Sequence, residues 1–121
     1  MEKIIINDHI QGDPLSEENL DKTLNLINKI RLSCPNKSIW LYSGFTWNQI
    51  MNPVVTDNLN PSRDELIRKR QDIVKQCTAL VDGRYIDSQR NPSKKWAGSD
   101  NQRVINCQKS LQQNKVVLYC D

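Results

Sequence analysis

Three dipeptides place a glycine beside a carboxylate or hydroxyl side chain: Gly12-Asp13, Ser43-Gly44 and Asp82-Gly83. Carboxylates and hydroxyls hydrogen-bond polar ligands, and a glycine lets a ligand approach the backbone closely. Each dipeptide follows a predicted strand, and in α/β sheets the ligand-binding loops cluster at the carboxyl ends of the strands. The pattern therefore indicates a binding site, although the same dipeptides are equally typical of turns that bind nothing.

The cysteines are the other residues that could carry chemistry. They are Cys34, Cys77, Cys107 and Cys120, and none lies within three residues of another. This spacing excludes a local zinc ribbon, a redox pair and a ferredoxin-type run. Since the amino terminus lacks the pattern of a secretion signal, we expect reduced thiols, and we interpret all four as structural.

Short strands would hold the polar-glycine dipeptides. Runs rich in β-branched and aromatic residues predict strands at 3–6, 38–43, 78–81 and 116–119. Another ordered segment begins at Val104 and Ile105. The polar segment 87–100 contains a proline and a glycine, which predicts an extended loop or lid. Trp96 in this loop could cover a cofactor, contact a partner or serve as a local packing anchor.

Helical patterns alternate with these strands. Apolar residues three and four positions apart predict a helix from about residue 17 to Pro35: Leu20, Leu24, Ile27 and Ile30. Ser16 is expected to cap it, Thr46 to cap a brief helix, and Ser62 with Glu65 to open a helix that ends near residue 76. The run 68–70 of that helix is basic and is expected to be a solvated face, with docking to an acidic partner as the alternative. Alternating helices and strands predict an α/β fold with parallel strands and crossover helices.

Size and charge limit the classes of function. A chain of 121 residues fits one domain, and its hydrophobic fraction of 37% indicates a long polar loop or a missing piece of core. A net charge of +3 that is spread along the sequence does not favour nucleic acid as a partner. No apolar run has the length of a membrane span. We expect a cytoplasmic protein.

Three stretches together resemble the activating proteins of anaerobic ribonucleotide reductase, a radical S-adenosylmethionine family. The first, 12–15, is similar to the end of a Gly-Gly-Asp/Glu-Pro motif. The second, 36–46, resembles Asn-Lys-x-Ile-Trp-x-x-Thr-Gly-Tyr-Thr. The third, 80–85 followed by 96–104, resembles Val-Asp-Gly-x-Phe and Trp-Arg-Gly-Ser-x-Asn-Gln-Arg. The motifs occur in the family's order from about Gln11 nearly to the end of the chain.

The resemblance implies a partial (β/α) barrel of the radical S-adenosylmethionine type. In this family a [4Fe-4S] cluster reduces bound S-adenosylmethionine, and the resulting 5′-deoxyadenosyl radical takes hydrogen from a glycine of the partner reductase. The implied partner is therefore the large subunit of anaerobic ribonucleotide reductase. By the same resemblance, Asp13 accepts a hydrogen bond from the ammonium of S-adenosylmethionine and Asp82 binds a ribose hydroxyl. The implied cofactor-binding residues are Gly12, Asp13, Pro14, Ser43, Gly44, Asp82, Asn101, Gln102 and Arg103.

This sequence departs from the family pattern in its ligands for the cluster. The family's Cys-x3-Cys-x2-Cys motif is absent, and the four scattered cysteines do not imitate it. Gln11 stands where the first glycine of the opening motif would be, and Ala97 replaces an arginine. We interpret residues 1–121 as a single incomplete domain, truncated at the N-terminus, in which residues 1–10 are the remnant of an earlier helix.

Three hypotheses follow from this departure. The chain could be an inactive fragment whose open strand edges promote self-association. It could be a non-catalytic module that docks the reductase or binds S-adenosylmethionine weakly. It could also be an enzyme whose cluster is held at a dimer interface by the remaining cysteines.

Overall fold

The computed structural model describes residues 2–53 and 61–119. Within these residues the strands are β1 (Lys3–Ile5), β2 (Ser38–Ser43), β3 (Ala79–Asp82) and β4 (Arg103–Asn106). The α-helices are α1 (Leu20–Ser33), α2 (Trp47–Met51), α3 (Pro61–Lys75) and α4 (Cys107–Gln113). Short 3-10 helices occupy Ile6–Asp8, Glu17–Asn19 and Asp87–Gln89.

The strands form one sheet in the order β1-β2-β3-β4. β1 pairs with β2 and β2 with β3 in parallel, whereas β4 runs antiparallel to β3. The carboxyl ends of β1, β2 and β3 therefore lie at the same edge as the amino end of β4. At that edge Ser43 is opposite Asp82, and Asp82 is opposite Arg103. This edge is called the carboxyl edge below.

One face of the sheet packs against the helices. The alternation of side chains along β2 directs Ile39 and Leu41 into the helical layer, where they belong to the same buried cluster as Ile27 of α1 and Ile73 of α3. All four side chains are completely buried. The buried face of α1 begins at Leu20 and continues at spacings of three and four, as the sequence pattern predicted.

The other face of the sheet carries an aromatic cluster. Trp40 lies edge-on to Trp96 and Tyr119, with ring centroids 5.0 Å away in both cases. The Lys3 ammonium stands 4.2 Å from the Trp40 ring centroid, which is a cation–π distance. Trp96 has a left-handed φ of 66°, and its carbonyl accepts a hydrogen bond from the Tyr42 hydroxyl. The structure thus shows Trp96 as a packing anchor of this face.

Most predicted elements are confirmed. β1, β2, β3, α1 and α3 lie where the patterns placed them, and segment 87–100 is a loop apart from one 3-10 turn. Thr46 caps α2 in a full capping box with Gln49. The side chain of Ser62 and residue Cys120 lie outside the described residues, so their predictions stand untested.

Four predictions are wrong. β4 is antiparallel, because segment 84–102 supplies no crossover helix and returns the chain to the edge where β3 ends. Segment 116–119 is not a strand but pairs with β4 through one bridge, Leu118 to Ile105, which is flanked by two backbone hydrogen bonds to β4. Ser16 does not cap a helix, because its hydroxyl donates to the Asp13 carbonyl instead. The segment before Gln11 contains strand β1, not the remnant of a helix.

The partial barrel stays a prediction, since the structure shows a four-stranded mixed sheet. Among the described residues no helix is both long and apolar enough to cross a membrane.

Candidate functional site

The carboxyl edge of the sheet borders two cavities. The larger has a volume of about 560 Å³ and the smaller about 360 Å³. Five predicted site residues line the larger one: Asp13, Gly44, Asp82, Asn101 and Arg103. The smaller one is lined by Gly12, Asp13, Ser43, Gly44 and Gln102. The structure therefore brings together eight of the nine predicted residues, and Pro14 alone lines neither cavity.

Asp13 joins the loop after β1 to the end of β2. Its Oδ1 accepts a hydrogen bond from the Leu15 amide at 2.9 Å, and its Oδ2 accepts one from the Gly44 amide at 2.8 Å. The buried Ser43 hydroxyl donates to the same carboxylate, at 2.9 and 3.1 Å from its two oxygens. All of these donors are neutral, so within residues 2–53 and 61–119 no cation is bonded to the Asp13 carboxylate.

The loop that carries Asp13 is held from beneath. The amide group of Asn19, which is almost fully buried, donates to the carbonyls of Gln11 and Asp13. The buried Thr23 hydroxyl donates to the Pro14 carbonyl at 2.8 Å. Gly12 has a φ of 86°, a left-handed conformation that glycine adopts without strain. Pro14 and Gly12 therefore shape the loop, and Asp13 presents the only charge in it.

Asp82 has a different environment. Its side chain is 1% exposed and forms a two-point ion pair with Arg103, with Oδ1 to Nε at 3.1 Å and Oδ2 to the terminal nitrogen at 2.7 Å. Its Oδ2 also accepts the Trp47 amide, at the start of α2. The hydrogen bond to Asp82 raises the pKa of Arg103 above its ordinary value. Asp82 thus fixes a cation and a helix end at the floor of the larger cavity.

Asn101 and Gln102 hold the surrounding turns. The Gln102 side-chain oxygen accepts the amides of Gly98 and Ser99, and its nitrogen donates to the Gly83 carbonyl. The Asn101 amide donates to the Arg84 carbonyl at 2.7 Å. Most of their hydrogen-bonding capacity is therefore used inside the protein, and a direct role in ligand binding stays a prediction for both.

Arg84 is a residue that the motif analysis quoted but did not select. It is exposed, follows Asp82-Gly83 directly and lines both cavities. A Cβ atom on Gly44 would stand 3.2 Å from Arg84 Cγ and 3.4 Å from Asp13 Oδ2. Its charge and its place at the end of a predicted strand were the available signals. These two signals do not show that Arg84 lies beside Gly44 at the end of β2, because the sequence alone does not give contacts between strands.

Another residue with an unexpected role is Arg70, in the basic run of α3 that was expected to be solvated. Its Nε donates to the Leu15 carbonyl at 2.8 Å, and its guanidinium stacks 4.5 Å from the Phe45 ring centroid. Partial burial lowers the pKa of Arg70 from its ordinary value. The side chain thus ties α3 to the Asp13 loop, which corrects the prediction for this position.

The described cysteines lie far from both cavities. Cys34 ends α1 ahead of β2, Cys77 precedes β3 and Cys107 follows β4, so all three are at the opposite edge of the sheet. That edge is roughly 20 Å away, the length of a six-residue strand. Cys77 and Cys107 are also completely enclosed, and burial raises the pKa of both thiols, that of Cys77 to about 12. Neither can contribute a thiolate to a dimer interface, which contradicts the third hypothesis for these two residues.

Comparisons with known proteins agree with the sequence motifs. The 4Fe-4S single cluster domain family matches residues 8–105. The anaerobic ribonucleoside-triphosphate reductase-activating protein of Escherichia coli (strain K12) is 33% identical over 93 residues, which are 77% of this chain and 50% of that protein. The proteins of the same name from Vibrio cholerae and Enterobacteria phage T4 are 33% and 31% identical, again over 77% of this chain.

This chain spans about half the length of the curated relatives it matches. No solved structure matches it. Since the family match covers most of the chain, the protein belongs to the 4Fe-4S single cluster domain family.

Proposed function

We propose that this member of the 4Fe-4S single cluster domain family serves the activation of an anaerobic ribonucleoside-triphosphate reductase. Its part in that process is to bind S-adenosylmethionine in the larger cavity at the carboxyl edge. The large subunit of the reductase is the proposed partner.

The convergence of distant polar groups on one cavity carries this proposal. Asp13, Gly44, Asp82 and Arg103 come from four separate stretches of sequence, yet all line the same 560 Å³ space. Cavities of this size bind small molecules and cofactors. The carboxyl edge of a sheet with parallel strands is also where α/β proteins bind ligands.

The residues present fit the polar groups of S-adenosylmethionine. The Asp13 carboxylate can accept from the ammonium of the ligand, because its present donors are all neutral. Arg103 uses two guanidinium nitrogens on Asp82, which leaves the third for a ligand oxygen. Glycine at position 44 keeps the cavity wall beside Asp13 and Arg84 free of a Cβ atom, which would lie only 3.4 Å from Asp13 Oδ2 and 3.2 Å from Arg84 Cγ. Asp82 and Gln102 act in this proposal by holding Arg103 and the turns around Gly83.

The described residues do not fit a [4Fe-4S] cluster. Three converging thiolates are needed, and no group of three potential metal-binding side chains exists within residues 2–53 and 61–119. The described thiols lie at the opposite edge of the sheet, and two of them are buried as neutral groups. We therefore expect this chain alone to bind S-adenosylmethionine without cleaving it. Anaerobic reconstitution with iron and sulfide should leave no stoichiometric iron, and a full [4Fe-4S] signal would overturn this expectation.

One observation also favours docking of a polypeptide at this edge. Tyr85 is 50% exposed and Ile86 37% exposed, and each lines one of the two cavities. Exposed aromatic and aliphatic side chains beside a polar cavity are suited to contact another protein. A module that docks the reductase without binding the cofactor is thus the second candidate function.

Calorimetric titration separates the two candidates. We expect saturable binding of S-adenosylmethionine, competition by S-adenosylhomocysteine, and weaker binding of ATP, because the two carboxylates and two guanidinium groups that line the cavity give no net positive charge for its phosphates. The absence of heat at millimolar S-adenosylmethionine would remove the cofactor-binding proposal. Sedimentation of the chain with the reductase large subunit would then test docking, with a Tyr85→Ser variant expected to weaken the complex.

A further inference from the structure

We propose that Asn7 is a positioning residue for this site. Its side-chain amide takes the place of backbone that β1 no longer supplies, and it holds the end of β2 where the Gly44 amide meets Asp13. Asn7 acts through Asp13 and not by contact with a ligand. This role rests on the proposed function, because the quantity it affects is the affinity of the site that contains Asp13.

Asn7 lies in register with Tyr42 of β2. The last pair between β1 and β2 joins Ile5 to Trp40, two positions earlier on each strand. Asn7 and Tyr42 have the same separation of 35 residues, although the chain has by then left the strand for a 3-10 helix. The register of the two strands therefore continues to Asn7 without the strand backbone.

The side chain of Asn7 makes both bonds that a continued strand would make at this position. Its Oδ1 accepts from the backbone amide of Tyr42 at 2.8 Å, and its Nδ2 donates to the carbonyl of Tyr42 at 2.9 Å. In a parallel ladder these two groups bond to the backbone of the neighbouring strand. One half-buried asparagine side chain thus replaces an acceptor and a donor of β1.

The next bond on this side of β2 is made by Asp13. Amides of alternate residues in a strand point to the same neighbour, and the Gly44 amide accordingly donates to Asp13 Oδ2 at 2.8 Å. Asn7 therefore stands between the backbone pairing of β1 and the Asp13 carboxylate. Without the Asn7 side chain, both backbone groups of Tyr42 lose these partners, and the Gly44 amide can shift relative to Asp13.

Direct contact with the ligand is not part of this role. Asn7 lines only the smaller cavity, whereas the ligand is proposed to occupy the larger one. Asp13 and Gly44 line both cavities. The influence of Asn7 on the larger cavity therefore passes through β2 and the bond between these two residues.

Calorimetry of Asn7→Ala with S-adenosylmethionine is the first test. The variant removes both bonds to Tyr42, and we expect the affinity to fall about fivefold or more, because a binding group that is loosely held loses much of its contact. The loss should not add to that of Asp13→Asn, so the double variant should bind no more weakly than Asp13→Asn alone. Losses that multiply in the double variant would overturn the role, because Asn7 would then act independently of Asp13.

Asn106→Ala is the matched control for a general loss of stability. The Asn106 side chain accepts from the Lys109 amide at the start of α4, at the opposite edge of the sheet. Loss of this cap should lower the midpoint of thermal unfolding by about 5 °C without changing the affinity. If Asn7→Ala is destabilised in the same way and also binds normally, Asn7 only stabilises the fold and the role is overturned.

Asn7→Asp tests the two bonds to Tyr42 and replaces the alanine variant if that variant does not fold. The ionised carboxylate keeps an acceptor for the Tyr42 amide but opposes the Tyr42 carbonyl, so the variant should unfold at a lower temperature than the unaltered chain at pH 7. Near pH 4 the protonated carboxyl group can donate to that carbonyl, and the difference should narrow. A difference that does not change with pH would contradict the pairing from which the role is inferred.

Hydrogen exchange separates the failure of this role from the failure of the proposed function. We expect the Gly44 amide to exchange about tenfold or more faster in Asn7→Ala than in Asn106→Ala, since local opening no longer has to break the bonds of Asn7. This rate is measurable by nuclear magnetic resonance without a ligand. Equal rates in the two variants would overturn the role of Asn7 and leave the proposed function standing. If the unaltered chain binds no S-adenosylmethionine, the proposed function fails, and the exchange rate of the Gly44 amide still decides whether Asn7 holds the end of β2.

Discussion

The two aspartates of the carboxyl edge have nearly opposite environments. Asp82 is buried at the floor of the larger cavity and bonded to the guanidinium of Arg103. Asp13 is half-buried and held by two backbone amides and the Ser43 hydroxyl, all of them neutral. One carboxylate is thus neutralised by an arginine, while the other has no cation bonded to it in the part of the chain that the structure describes.

This difference shows how similar dipeptides acquire different roles. Gly12-Asp13 and Asp82-Gly83 both combine a carboxylate with a glycine of positive φ. The role of each aspartate depends on the groups beside it, since β4 places Arg103 next to Asp82, whereas the end of β2 places the Ser43 hydroxyl and the Gly44 amide next to Asp13. We therefore expect Asp82 to contribute mainly to stability and Asp13 mainly to ligand binding.

The largest expected effect is the loss of stability in Asp82→Ala. The change leaves the Trp47 amide without its acceptor and Arg103 without its counter-ion. We expect the free energy of unfolding to fall by about 3 kcal/mol, because breaking a buried ion pair from one side is strongly destabilising. Urea unfolding followed by circular dichroism measures it. Asp100→Ala is the control, since this exposed carboxylate bonds only to the Asn91 amide and its loss should cost less than about 1 kcal/mol. A similar loss in both variants would remove the structural role of Asp82.

The next effect concerns the other aspartate. Asp13→Asn keeps one acceptor oxygen for the backbone amides but removes the charge that would bind an ammonium. We expect the affinity for S-adenosylmethionine to fall about tenfold or more, with a loss of stability near 1 kcal/mol. Calorimetry and urea unfolding of the same preparation measure both quantities. Asp72→Asn, on the exposed side of α3, should change neither. If Asp13→Asn instead unfolds as easily as Asp82→Ala while binding normally, the comparison is reversed.

The position of this site could be predicted from the sequence, but the hydrogen bonds and the ion pair between its residues could not. β-branched runs that end in a polar residue and glycine located the ends of β2 and β3 correctly, because strand propensity and turn chemistry are local. The bond of Ser43 to Asp13 spans 30 residues and that of Arg103 to Asp82 spans 21. Such contacts follow from strand order and direction, which local patterns do not encode.

The direction of β4 illustrates the same limit. The alternation of helices and strands favoured parallel pairing throughout, and this is correct for β1 to β3. The segment between β3 and β4 forms only a 3-10 turn and loops closed by Gln102, so the chain re-enters the sheet at the carboxyl edge. The antiparallel pairing that results is what places Arg103 beside Asp82. The pairing of Arg103 with Asp82, which was not predicted, therefore follows from β4, the one strand whose direction was predicted wrongly.

The two glycines that adjoin the aspartates, Gly83 and Gly44, are also expected to differ, one in its effect on stability and the other in its effect on binding. Gly83 has a φ of 95°, so Gly83→Ala strains the backbone beside Asp82 and should cost about 1–2 kcal/mol of stability. Gly44 does not have a positive φ, and an added Cβ would meet mainly the flexible stem of Arg84 at 3.2 Å. Gly44→Ala should therefore leave stability almost unchanged and reduce affinity for S-adenosylmethionine severalfold, because the added methyl group narrows the cavity beside Asp13. Unfolding and calorimetry of the two variants check this. Equal loss of affinity in both would show that the two sides of the cavity are not separable.

The smallest effect lies at the opposite edge of the sheet, where the thiols of Cys77 and Cys107 are buried. Burial raises the pKa of Cys77 from 9.0 to about 12, so the folded chain keeps a proton that the unfolded chain releases above about pH 9. The contribution of this thiol to the free energy of unfolding is fully present below about pH 9 and should decline as the pH rises toward 12. The decline is at most about 1.4 kcal/mol per pH unit for each such thiol. Urea unfolding between pH 7 and about pH 10.5 measures the slope, and Cys77→Ala should reduce it, because Cys107 is then the only enclosed thiol left among the described residues. Asp82→Ala should leave that slope unchanged, since it keeps both enclosed thiols in place. If the slope of the free energy of unfolding against pH is the same in Cys77→Ala, this thiol ionises in the folded chain. The edge far from the cavities would then hold a charged group, as the carboxyl edge does at Asp13.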